Sequence, residues 1–218
     1  MTTTIQRLAP YLVGLLIPLL LMVSFTLIPD SNTELRYQRN EILLGEWWRL
    51  YSGQLSHLSL NHLLLNLGGL TLFWLLFFRA ASSTIWLLVM VLSMTSTGLG
   101  LLWLNPELNW YLGFSGVLHA LFFSALLFEL RGKRHASTIP LLLLLIAKLG
   151  WEQFGGATPG SAELIGGNVV IDAHLYGALS GIVLGLLMPI RQRQPDKSRQ
   201  DGLHPIEQYF KQSEPPPD

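Results

Sequence analysis

Gly113-Phe114-Ser115-Gly116-Val117-Leu118-His119 stands at the head of an apolar run that continues to Leu130, and its reading decides the fold. A serine bracketed by glycines is an unusual residue for the mouth of a segment long enough to cross a membrane. Two other apolar runs carry histidines at a matching position: His57 and His62 with Asn66, and His174. Whether these groups meet to do chemistry is the question the chain poses.

Half of the 218 residues are hydrophobic and 13% are charged, about half the charged fraction of a soluble domain. The apolar residues are bunched into runs too long and uniform for a soluble core, which identifies an integral membrane protein. The formal net charge is zero, so bulk charge gives no reason to expect nucleic acid as a partner. The chain has no cysteine, which excludes disulfides, thiol catalysis and thiolate metal sites.

Working outward from Ser115, the runs predict an all-α, six-span bundle. The spans are expected at about 11–29, 57–78, 84–104, 112–130, 137–153 and 169–190. Residues 1–190 form one membrane domain, and 191–218 are a polar, Pro-rich tail. The first run is longer than a signal-peptide core and lacks a small-x-small cleavage site, so it reads as a retained helix containing Pro18. Residues 30–56 are polar and amphipathic, with Trp47 and Trp48 beside Arg49, and suit headgroup level. A Gly-rich loop, 155–168, precedes the last span.

Arg7, Arg79, the cluster at 131–134, Arg191, Arg193, Lys197 and Arg199 lie on one side of such a bundle. The opposite loops hold Arg36, Arg39 and Arg49, balanced by Glu34, Glu41 and Glu46. The positive-inside bias puts both termini in the cytoplasm. Spans two, four and six then run inward from the outer face. His62, Ser115 and His174 fall three to five residues into them, roughly 4–8 Å below the outer ends at 1.5 Å per residue. His62 and Asn66 share a helix face, as do Ser115 and His119. Ala173, Gly177, Gly181 and Gly185 make a ridge of small residues suited to close helix packing, with His174 at its edge.

A serine becomes nucleophilic when an imidazole takes its proton, and acyl transfer needs donors for the oxyanion, which His62 and Asn66 can supply. Blander readings exist. Ser115 can be a packing hydroxyl, His62 and Asn66 can simply bond each other or a carbonyl, and His57 can be interfacial. His119 can stack on His174, bond Ser115 along its own helix, or pack as a neutral group. Asp172 faces away from His174, so no third member of a triad is expected. Lys148 is expected to snorkel toward the outer interface. Neither a G-x-S-x-G elbow nor an H-E-x-x-H site is present, and no metal or cofactor is expected.

The set His57-x4-His62-x3-Asn66, Gly113-Phe114-Ser115-Gly116 and Ala173-His174-x2-Gly177-x3-Gly181 resembles the rhomboid family of intramembrane serine proteases. Trp48-Arg49 matches the Trp-Arg pair of that family's first outer loop, and the resemblance spans about residues 46–187. It implies Ser115 as nucleophile and His174 as general base. It also implies an oxyanion site of His62, Asn66 and the Ser115 N–H, shaped by Gly113, with His119 and His57 in support. His119 stands where an aromatic commonly packs against the catalytic histidine. Asn66-Leu67-Gly68-Gly69-Leu70, Gly116-Val117-Leu118-His119 and Asp172-Ala173-His174-Leu175-Tyr176-Gly177 resemble the bacterial rhombosortase subgroup. That subgroup implies a bacterial inner-membrane location and cleavage of Gly-Gly-containing C-terminal sorting segments near the outer, periplasmic face.

The expected protein is therefore an intramembrane serine endopeptidase whose partners are single-span membrane proteins and the lipid bilayer; its oligomeric state is open. The competing expectation is an inactive rhomboid-like protein that binds membrane clients. A third is a histidine-lined metal or proton pathway through His57, His62, His119 and His174.

Overall fold

The computed structural model describes residues 2–132 and 135–189. The polar tail expected at 191–218 lies outside them. The described chain is mostly helical. Helix α1 (Thr2–Leu27) runs through Pro18, and is followed by the short α2 (Ser31–Glu34), strand β1 (Tyr37–Gln38), α3 (Arg39–Leu43) and α4 (Arg49–Leu55). Next come α5 (Leu60–Phe77), α6 (Ser83–Leu104), β2 (Trp110–Tyr111) and α7 (Ser115–Arg131), and then α8 (Thr138–Gly155), α9 (Ser161–Ile165) and α10 (Ile171–Leu187). Helices α5 and α6 are each long and apolar enough to cross a bilayer, and Tyr11–Leu27 and Ile171–Leu187 are shorter apolar stretches.

The helix starts differ from the spans expected, for local reasons. Ser59 caps α5, its Oγ accepting the His62 N–H at 3.2 Å. That puts His57 in the preceding loop and not on the helix. Gly113 has φ +125°, a conformation only glycine adopts cheaply, so the chain turns there and α7 begins at Ser115 itself. His62, Ser115 and His174 consequently all sit in the first turn of their helices.

Residues 30–56 are not one amphipathic segment but a folded cap. Strands β1 and β2 pair antiparallel, with Tyr37 opposite Tyr111, which ties the cap to the loop that carries Ser115. The buried Arg49 is satisfied by Glu46 Oε2 at 2.5 Å and by the Arg36 carbonyl at 3.1 Å, as a buried cation requires.

Helix α7 is the centre of the bundle, buried along most of its length from Gly116 to Phe128. Against it lies the small-residue ridge of α10. A Cβ placed on Gly177 would lie 2.0 Å from the Gly116 carbonyl oxygen, and one on Gly181 would lie 2.4 Å from that of Ala120. The Ser124 hydroxyl donates to the Gly181 carbonyl at 2.9 Å across the same seam. In lipid, such close packing and interhelical hydrogen bonds drive association. Helix α8 is the opposite case. Its fully buried side chains are Thr138 and Glu152, while Leu143, Leu144, Ile146, Trp151 and Phe154 face outward. Leucines 64, 65, 72, 75 and 76 on α5 and Leu179, Val183 and Leu186 on α10 extend this exposed apolar surface. A monomer in water does not carry an apolar belt of that extent; a membrane protein does.

Candidate active site

Ser115 and His174 meet across the α7–α10 seam. Ser115 Oγ lies 2.8 Å from His174 Nε2. The contact depends on the glycines beside it, because Gly116 and Gly177 let the two backbones approach within reach of a short hydroxyl and a ring. The N–H groups of the first turn of α7 have no carbonyl four residues earlier within the helix. The positive end of the helix dipole is therefore at the serine.

His62 approaches from α5. Its Nδ1 accepts the Leu58 backbone N–H at 3.4 Å, which leaves the proton on Nε2. Gly113 sits against that ring: a Cβ there would lie 2.6 Å from His62 Nε2. The Gly113 carbonyl accepts the Tyr111 hydroxyl at 2.6 Å, and its N–H donates to Gly53 at 3.0 Å. The loop is thus held from both sides, with His62 Nε2–H facing it two residues before Ser115. Asn66 Nδ2 donates one hydrogen back to the His62 carbonyl at 3.2 Å; an amide carries a second. His57 is buried, hydrogen-bonded through Nδ1 to Thr26 Oγ1 at 3.0 Å, and edge-on to His62 with ring centres 5.0 Å apart. Its ring packs on His62, away from the Nδ1 bond to Thr26. A cavity of about 260 Å³ opens beside His62, lined in part by Leu58, Tyr111, Leu112 and Ile165.

His119 takes two of the three positions open to it. It stacks on His174 with ring centres 4.3 Å apart and planes 19° off parallel, and its Nδ1 bonds the Ser115 carbonyl at 2.7 Å. Asp172 bonds Asn105 Nδ2 at 2.6 Å and not His174.

Two residues of α8 depart from expectation. Lys148 does not snorkel outward: its Nζ lies 2.7 Å from Glu152 Oε1 and 3.0 Å from His119 Nε2. Glu152, which the sequence reading passed over, places Oε2 at 2.9 Å from His174 Nδ1, with its side chain 2% exposed. The available signal was the pairing itself. A lysine and a glutamate four apart in an apolar helix are a functional-site hypothesis by default. Ligand atoms of His119, Glu152 and His174 lie within 4.8 Å of one another, a grouping that could hold a cation. The Lys148 ammonium already occupies that role, bonded to two of the three.

A membrane-embedded helical bundle with a serine hydroxyl bonded to an imidazole is the architecture of an intramembrane hydrolase. The Rhomboid domain model matches residues 44–191, more than half of the chain, and the chain belongs to the rhomboid family. Members are serine intramembrane proteases, which sets the class of reaction for the geometry above. No curated protein matches the chain.

Proposed function

We propose that the protein is a six-span serine endopeptidase in which Ser115 is the nucleophile and His174 the general base. The observation that carries this reading is the 2.8 Å contact between Ser115 Oγ and His174 Nε2. Ser115 Oγ attacks the scissile carbonyl carbon while His174 Nε2 takes its proton. The oxyanion is met by the Ser115 N–H, His62 Nε2–H and the second Asn66 hydrogen, in the pocket that Gly113 keeps open. Collapse breaks the C–N bond, and Nε2 returns the proton to the leaving amine. Water then repeats the sequence on the acyl-enzyme and frees Ser115. A serine hydroxyl bonded to an imidazole, with the His62 ring against Gly113 two residues before it, favours an enzyme over a client-binding protein.

The six spans are α1, α5, α6, α7, α8 and α10, in one domain to residue 190. The distribution of basic residues favours both termini in the cytoplasm. The first-turn positions of His62, Ser115 and His174 support a site near the outer face, and the rhombosortase-like motifs favour a bacterial inner membrane. A segment entering from lipid has to unwind to lay a peptide bond against Ser115, which favours helix-weak residues. The rhombosortase-like motifs narrow this to Gly-Gly-containing C-terminal sorting segments. Mass spectrometry of Gly-Gly-tailed secreted proteins tests it, from cells with wild-type enzyme or Ser115→Ala. Trimmed C-termini only in the wild type are expected, and identical C-termini in both strains refute the substrate assignment.

A further inference from the structure

Resting on the Ser115–His174 reading, we propose that Glu152 is a positioning residue that completes a Ser115–His174–Glu152 triad, its carboxylate held in place by Lys148.

The proton inventory leads there. A carbonyl only accepts, so the 2.7 Å bond between the Ser115 carbonyl and His119 Nδ1 puts a proton on that nitrogen. His119 Nε2 then offers its lone pair to Lys148 Nζ, which only donates, at 3.0 Å. A second ammonium hydrogen goes to Glu152 Oε1 at 2.7 Å. Glu152 Oε2 accepts His174 Nδ1–H at 2.9 Å, leaving His174 Nε2 with a lone pair for the Ser115 hydroxyl at 2.8 Å. With Glu152 ionised and both imidazoles neutral, the other tautomers set two donors or two lone pairs against each other. The hydrogen bonds form a closed ring that leaves from the Ser115 side chain and returns to the Ser115 main chain.

A merely structural Lys–Glu pair four residues apart on α8 would need only one carboxylate oxygen. Here the second oxygen is aimed at the ring nitrogen opposite the one that faces the nucleophile. The consequence for the reaction is direct. As the Ser115 proton passes to Nε2, the growing positive charge on His174 finds a carboxylate already fixed at Nδ1, with no reorganisation needed. Without that acceptor the ring can turn to the Nε2–H tautomer, which has no lone pair for the serine. Lys148 neutralises the buried carboxylate, which an apolar site otherwise penalises heavily.

The test uses the purified full chain in detergent and a fluorescent alkyl fluorophosphonate. This reagent reads the nucleophilicity of Ser115 without a protein substrate. Glu152→Gln keeps the shape but can turn its NH2 toward Nδ1 and favour the wrong tautomer. The maximal labelling rate is expected to fall about 10²- to 10⁴-fold, with the half-saturating probe concentration changed less than about threefold. Glu152→Asp should recover roughly a tenth or more of the wild-type rate, by the same carboxylate argument. Nitrogen-15 spectra should show His174 changing tautomer in the Gln variant. Should that variant not fold, Lys148→Met/Glu152→Gln removes both charges together and is measured in its place. Labelling of either variant at the wild-type rate overturns the inference, provided Ser115→Ala and His174→Ala do not label. Labelling of those two variants would instead refute the dyad reading beneath it.

Discussion

Gly177 faces the Gly116 carbonyl so closely that an alanine there tests the whole geometry of the site. The added Cβ would lie 2.0 Å from that oxygen, whereas ordinary contact begins near 3.4 Å. Both partners are backbone, so neither can rotate aside. The helices must separate by roughly 1.4 Å at this point in a close-packed seam. His174 lies one turn before Gly177 and Ser115 one residue before Gly116, so much of the displacement falls on the 2.8 Å Ser115–His174 contact. A stretch of about 1 Å ends the hydrogen bond, and misplacement of that size costs on the order of 10²-fold in rate. The overpacking itself should cost about 1–3 kcal/mol of stability. Gly68→Ala is the control, since a Cβ there meets nothing within 4 Å and helix propensity favours alanine. Initial rates on a membrane substrate, with thermal unfolding in detergent, give both readouts. Gly177→Ala cleaving at the wild-type rate would refute the claim that this seam sets the distance.

Three further outcomes follow from the same neighbourhood. His62→Ala should lower kcat by about 10²- to 10³-fold with KM little changed, as loss of one oxyanion donor does; steady-state kinetics decide it. Gly113→Ala combines a left-handed φ of +125° with a Cβ 2.6 Å from the His62 ring. It should cost about 1–3 kcal/mol in backbone strain alone and depress cleavage more than tenfold, measured with unfolding to separate the two. Burial holds the Tyr111 phenol up to about 12 from its usual 10.0. The folded state keeps this proton after the unfolded chain has lost it. Stability present below pH 10 should therefore fall between pH 10 and 12, by an amount on the order of 1–3 kcal/mol. Tyr111→Phe should flatten that slope in unfolding experiments across the range.

The parts of the site written in helical periodicity were legible in the sequence. Ser115 and His119 four apart, His62 and Asn66 four apart, and the four-residue ridge from Ala173 to Gly185 each define a face that the structure uses. What spacing could not supply was rotation about a helix axis. Helix α8 is apolar along its first half, where Leu141 to Ile146 mark no one side as inward, and Lys148 near a span end reads naturally as interfacial. The Lys148–Glu152 spacing marks a pair, but its target, His174, becomes visible only when α8 and α10 are set side by side. The pairing of Tyr37 with Tyr111 was equally hidden, because strands of two residues have no alternation to detect. The helix starts shifted for a related reason: hydropathy runs straight through His57-Leu58-Ser59 and Leu112-Gly113-Phe114, while a cap and a left-handed glycine end the helix there.

Helix α8 is buried at two side chains near its ends, Thr138 and Glu152, with half-buried leucines 141, 142 and 145 between them. At one end Thr138 Oγ1 bonds Glu129 Oε2 at 2.5 Å; at the other, Glu152 and Lys148 bond the two stacked histidines. The helix with most of its surface turned to lipid is thus moored by the groups that govern the base. On the triad inference, this makes the bundle an interlock: the serine is armed only while α8 is seated. If α8 leans away, His174 loses the carboxylate at its Nδ1 and His119 loses the ammonium at its Nε2 together.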